Sequence, residues 1–183
     1  MAPAVLPEGP AIVPDDKDWT WVLDRPCPEC GLDTRTVDPR SVGAMLRVNA
    51  ASWREVLAAP DVVVRARPRP DVWSPLEYGC HVRDVFRLYD ERLRLMLTED
   101  GPHYPNWDQD VTAVESRYGE QDPAHVSAEL LDAAGSLADS FDRVEGDQWE
   151  RTGFRSDGAA FTVSTFARYL VHDPVHHLHD VLG

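Results

Sequence analysis

The stretch Ser74-Pro75-Leu76-Glu77 constrains this chain more than any other. Serine before proline, with glutamate three residues after the serine, states a helix start: the hydroxyl caps, the proline fits the first turn and the glutamate reaches back to the cap. From there Leu76, Tyr78, Val82, Val85, Phe86, Tyr89, Leu93 and Met96 recur at helical spacing. That pattern predicts a helix to about Leu97 that must bury one long apolar side. Partners of comparable length are available. Asp38-Pro39 opens a helix carrying Val42, Met45, Leu46, Asn49, Trp53, Val56 and Leu57, which ends near Ala59-Pro60. Asp122-Pro123 opens another with Val126, Leu130, Leu131, Leu137 and Phe141 inward. The last helix begins at Thr162 or Ser164 and carries Phe166, Leu170, Val171, Leu178 and Val181. Prolines and arginines make Val62 to Val72 a loop. Two longer connections remain, Thr98 to Asp122 and Asp147 to Val163, the second reading as a short hairpin around Gly153 and Gly158. The expected fold is all-α, a four-helix bundle with long crossover connections.

At 183 residues the chain suits one domain with a full core. The reading assigns residues 37–183 to the bundle and residues 1–36 to an N-terminal part. That part begins with a loose arm rich in proline and acid and ends in a cap built on Trp19, Trp21, Val22 and Leu23 before CPECG. No apolar run approaches the roughly 20 residues of a membrane span. The first residues lack a basic region followed by an apolar one, so a cytoplasmic location is expected. The formal net charge of -14, with acids spread along the chain, argues against nucleic acid as a partner, because phosphate binding depends on Lys and Arg. A small-molecule partner is expected instead.

Four of the seven histidines fall in the last helix, in HDPVHHLHD. At about 100° per residue, His172, His176 and His179 project within about 60° of one another, and His177 points elsewhere. Two readings compete. His172 and His176 form an i, i+4 pair of metal ligands, or the row is a cationic helix end favoured by the helix dipole. Pro174 lies between the pair and bends the helix. A bundle builds its site from facing helices, which makes His81, on the apolar stripe of the second helix, the natural third ligand.

Cys27 and Cys30 sit in CPECG, and Cys80 stands beside His81. CPxCG resembles the zinc knuckle of rubredoxin-like and ribbon sites. A structural zinc normally takes two such pairs, or one pair and two histidines, and no second cysteine pair exists. A structural zinc borrowing ligands from outside the turn and a plain thiol-containing turn both remain open. Nothing around the turn reads as the strand and helix of a thioredoxin-like redox unit.

The segments WSPLEYGCHVRDVF and FTVSTFARYLVHDPVHHLHDV together resemble the DinB-like superfamily over about Val37 to Val181. These are metal-binding four-helix proteins that include thiol-dependent S-transferases and mycothiol-dependent maleylpyruvate isomerases. The resemblance implies a divalent metal, zinc or sometimes nickel, held by His81, His172 and His176, and pairing of two copies through helix faces as a homodimer; His179 shares the face as the rival ligand and is placed as an outer group. Cys27 and Cys30 would then belong to a separate structural site. Asp84 and Glu77, one turn either side of His81, are candidates to accept the free N–H of a ligand ring, and Trp107, Asp108 and Asp110 to form a rim.

Three protein ligands leave an ion an open position, the arrangement of a catalytic rather than a closed site. The expected activity is transfer of a low-molecular-weight thiol, mycothiol-like, to an electrophilic small molecule. Alternatives are a thiol-dependent isomerase, a non-catalytic metal- or small-molecule-binding module linked to stress, and a metal-dependent hydrolase.

Overall fold

The computed structural model describes residue 12 and residues 17–183, so the expected loose arm lies almost wholly outside the described residues. Four long helices dominate: α1 (Val42–Leu57), α3 (Pro75–Thr98), α5 (Pro123–Asp142) and α6 (Val163–Leu182). Two short helices, α2 (Asp61–Val64) and α4 (Gln109–Glu115), interrupt the connections. The long helices pack in the cyclic order α1, α5, α3, α6, so α6 lies between α1 and α3. Among the described residues no helix is long and apolar enough to cross a membrane.

The helix starts follow the capping chemistry. Ser74 and Glu77 form a reciprocal capping box at α3, and Asp122 accepts from the His125 N–H at α5. Thr162, rather than Ser164, caps α6 through a box with Thr165. Asp38-Pro39 opens a single 3-10 turn, Pro39–Ser41, that leads into α1. Pro174 is accommodated within the continuous α6. The Asn49 side-chain amide of α1 donates to the Pro174 carbonyl at 2.8 Å, which ties the two helices together at that point.

The second long connection forms the expected hairpin, β2 (Thr152–Arg155) antiparallel to β3 (Ala160–Thr162). A third strand was not foreseen: β1 (His103–Tyr104) pairs in parallel with β2. Two residues carry no period from which a strand can be read. Gly153 is required in β2, because a Cβ there would sit 2.7 Å from Met96 Cγ and 3.0 Å from Tyr104 Cε1. The sheet therefore rests closely on α3.

The core is apolar, with Leu46, Trp53, Phe86, Leu93, Leu130 and Phe166 fully buried. Two of its charged residues, Arg83 and Glu77, are paired. Arg83, buried on α3, binds Asp84, Gln121 and Glu129, and Tyr118 donates to Asp84 at 2.6 Å. Glu77 accepts from the Ser74 N–H at 2.8 Å and from the Arg67 Nε at 3.0 Å. Both carboxylates expected near His81 are thus engaged in holding α3 in place. Burial alone would raise the Glu77 carboxyl, but Arg67 and Ser74 outweigh it and hold it below its ordinary value.

A depressed carboxyl contributes stability at pH above its unfolded value, near 4.3, and loses it as pH falls through the folded value. Glu77→Gln is expected to cost about 1.5 kcal/mol at pH 7, the low end for a hydrogen bond to a charged group because Arg67 is partly in water. Urea unfolding checks this: the wild-type advantage at pH 7 should shrink as the pH is taken below 4.

Candidate functional site

The chemistry is carried by one turn and a half of α6. Residues 172 and 176 form one row along the helix, and residues 173 and 177 form the next, about 100° round. The rows face different neighbours. One meets the N-terminal cap, the other meets α3.

On the α3 side, His81, Asp173 and His177 bring one ligand atom each to within 4.8 Å of one another. His81 Nε2 lies 3.4 Å from the Asp173 carboxylate, and His177 Nε2 lies 3.8 Å from Asp173 Oδ2. The imidazole rings of His81 and His177 are 4.9 Å apart, nearly perpendicular. Aromatic walls fix His81, which is fully buried: Trp107 stacks on it at 5.4 Å and Trp73 leans on it at 5.3 Å. His177 Nδ1 faces Asp180 Oδ2 at 3.0 Å, which directs Nε2 toward Asp173. Burial would raise the Asp173 carboxyl, yet the neighbouring His81 and His177 imidazoles bring it down to about 2, so it is a carboxylate at neutral pH.

On the cap side, Cys27, Cys30, His172 and His176 bring their ligand atoms within the same 4.8 Å. The CPECG turn closes through the Gly31 N–H to the Cys27 carbonyl at 3.0 Å, and Gly31 adopts φ 75°, a conformation that favours glycine. His176 Nδ1 is 3.6 Å from Cys27 Sγ. Its Nε2 faces Glu29 Oε2 at 3.3 Å and Asp180 Oδ1 at 3.7 Å. Burial pushes His172 down to about 4 and also lowers His176, keeping both rings neutral, the form that binds metal. Burial pushes the Cys30 thiol up to about 11, opposite to the lowered thiol of a redox-active CxxC.

The ligand set expected from the sequence, His81 with His172 and His176, is therefore divided. Among the described residues the structure places His81 with Asp173 and His177, and it places the His172 and His176 pair with the two cysteines. Angular reasoning correctly turned His177 away from His172 and His176, but away from them is toward α3. Asp173 and His177 have the same i, i+4 spacing as His172 and His176, and that was the available signal. His179 is exposed, its ring 6.5 Å from that of His176. Asp180, which was not singled out in the sequence, faces both His176 and His177. Cys80 is buried, its thiol pushed up to about 12 by burial and directed at the Tyr118 carbonyl.

A cavity of about 1080 Å³ opens beside these groups, lined by Trp19, Trp73, Tyr78 and Trp107 among others, with Asp173 and His177 in its wall. The rim expected at Trp107, Asp108 and Asp110 is there, and Asp108 also caps α4. Arg92 lies on the same cavity, about 16 Å along α3 from His81. It is 95% buried, donates to the Pro105 carbonyl at 2.7 Å, and its Nε has no hydrogen-bond partner.

A helical bundle that gathers histidine and carboxylate side chains from α3 and α6 is the class of protein defined here. The chain belongs to the DinB superfamily, whose family model matches residues 44–181. Among solved structures it is similar to YfiT from Bacillus subtilis, described as a probable metal-dependent hydrolase with an unusual four-helix bundle topology. The likeness has a TM-score of 0.69 and 19% identity and covers 77% of this chain and 82% of that one, which establishes the fold. No curated protein matches the chain. The family match leaves out the CPECG cap.

Proposed function

We propose that the protein is a divalent-metal-dependent transferase that activates a low-molecular-weight thiol, mycothiol-like, for attack on an electrophilic small molecule carrying an anionic group. The observation that carries this reading is the cluster of His81, Asp173 and His177, of which Asp173 and His177 line a large cavity and His81 is buried behind them. Two imidazoles and a carboxylate suit zinc first, with nickel as the second choice. The fit is supported by Asp173 Oδ1, a buried carboxylate oxygen without a hydrogen-bond donor, and by His81 Nε2, which faces that carboxylate at 3.4 Å. An ion held by these groups supplies a Lewis acid that lowers the pKa of a thiol or water at its open position. The description of YfiT as metal-dependent agrees with this.

The residues of the chain do the rest. Asp180 holds the His177 tautomer. Trp73 and Trp107 pin the His81 ring and keep it dry. The cavity of about 1080 Å³ stands at the upper end for ligand pockets, roughly 300–1000 Å³, and so has room for a thiol beside an electrophile. Arg92 gives the far end a buried guanidinium with no carboxylate partner among the described residues, a place for an anionic substituent. Arg92→Met is accordingly expected to raise KM for an anionic electrophile about tenfold or more, with little change for a neutral one, because a charge-assisted hydrogen bond contributes about 1.5–3 kcal/mol. Steady-state kinetics on the two electrophiles checks it.

Hydrolysis is the second reading, favoured by the description of YfiT and by the equal suitability of water at an open position. The deciding experiment incubates zinc-loaded protein with a low-molecular-weight thiol and a panel of electrophiles and follows both by mass spectrometry. Thioether formation with loss of the leaving group and of the thiol proton supports transfer. Isomerised electrophile with the thiol returned indicates the isomerase variant. Ester or amide cleavage without thiol consumption replaces transfer by hydrolysis. An unchanged cobalt-protein spectrum on adding thiol, with no turnover, would leave a non-catalytic binding module.

A further inference from the structure

We propose that Cys27, Cys30, His172 and His176 form a second metal site, a closed structural zinc that fastens the N-terminal cap to α6. The site is independent of the catalytic reading. Two thiolates and two neutral imidazoles are a tetrahedral set for zinc, and their four ligand atoms already lie within 4.8 Å of one another. The His176 geometry is that of a ligand with a carboxylate behind it. Nε2 faces Glu29 and Asp180, which makes it the N–H and leaves the Nδ1 lone pair toward Cys27 Sγ at 3.6 Å. His172 is 96% buried, and its Nε2 has no hydrogen-bond partner. A buried imidazole nitrogen left unpaired costs stability unless something else engages it.

His172 and His176 also touch the cavity, but two thiolates and two imidazoles complete a tetrahedral zinc and leave no open position. Trp19 of the cap lies over both rings, 5.3 Å from His172 and 5.2 Å from His176. Trp19 and Glu29 also line the cavity, so the ion would hold one wall of it in place. Binding would release the two cysteine protons to solvent, with no redox change and no further reactant. The neighbouring ligands Asp173 and His177 sit one residue along α6 from His172 and His176, so the same ion would fix the rotation of the helix segment that presents them.

The test compares wild type, Cys30→Ser and Asp173→Ala, purified without added chelator and analysed for metal, then refilled with cobalt. Wild type should hold two zinc ions per chain, and each variant one. Cobalt-loaded Asp173→Ala should keep a thiolate-to-cobalt charge-transfer band that cobalt-loaded Cys30→Ser lacks, and native wild type should show Cys27 and Cys30 protected from a thiol reagent until chelator is added. Should Cys30→Ser fail to fold, the band in Asp173→Ala and the thiol protection in wild type decide the matter. The proposal is overturned by a cobalt spectrum of Asp173→Ala without thiolate character. It is equally overturned by Cys27 and Cys30 found joined as a disulfide in protein that still carries its other ion. Loss of transferase activity alone bears on the His81 cluster and not on this site.

Discussion

Asp173→Ala is expected to lower turnover of thiol and electrophile by at least about 100-fold while leaving the fold intact. Outer partners of metal ligands typically cost 10–100-fold when removed, and Asp173 is placed as a ligand itself, so that range is a floor. Its position explains the severity. The carboxylate stands between His81 and His177, within 3.4 Å of one and 3.8 Å of the other, and supplies the only negative charge in that cluster. Without it, two imidazoles remain, one from α3 and one from α6, with no carboxylate between them to neutralise a divalent ion. Metal content and steady-state rates on the same preparation test this. An active variant at full rate with the ion retained would remove Asp173 from the site.

The second large effect is on stability. Trp53→Ala should cost about 3–5 kcal/mol, the range for deleting a buried aromatic side chain. For a domain of this size that corresponds to roughly 6 to 20 °C in Tm. Trp53 is fully buried on α1, within the apolar core shared by the four helices. Trp53→Phe should cost distinctly less, because it keeps most of the volume and removes an indole N–H that has no hydrogen-bond partner. Thermal unfolding of the two variants side by side measures the difference.

The bundle was legible because its signals are local. Ser74-Pro75-Leu76-Glu77, Asp122-Pro123 and the apolar spacing of Leu76 to Met96 each state a helix within a few residues, and the structure places helices there. The strand at His103–Tyr104 was not legible, since its pairing with Phe154 and Arg155 is a matter of tertiary register. The site stood between these cases. The sequence singled out His81, the α6 histidines and CPECG, and the structure gathers all of these but His179 into two clusters. Which row of α6 faces α3 depends on the rotation of that helix in the bundle, and no periodicity within α6 sets it. The residues HDPVHHLHD carry two i, i+4 ligand pairs one residue apart, and only packing distinguishes them. Histidine was weighed above aspartate at position 173, where the second pair begins. The cap contributes the other half of the answer. CPECG lacks a second cysteine pair in the sequence, and it meets His172 and His176 only through a contact spanning nearly the whole chain.

Anomalous diffraction at the zinc edge, from crystals of the zinc-loaded protein, tests the division of ligands most directly. Two peaks are predicted, one among His81, Asp173 and His177 and one among Cys27, Cys30, His172 and His176. A single peak joining His81 to His172 and His176, with the cysteines and Asp173 outside its coordination sphere, would contradict the account.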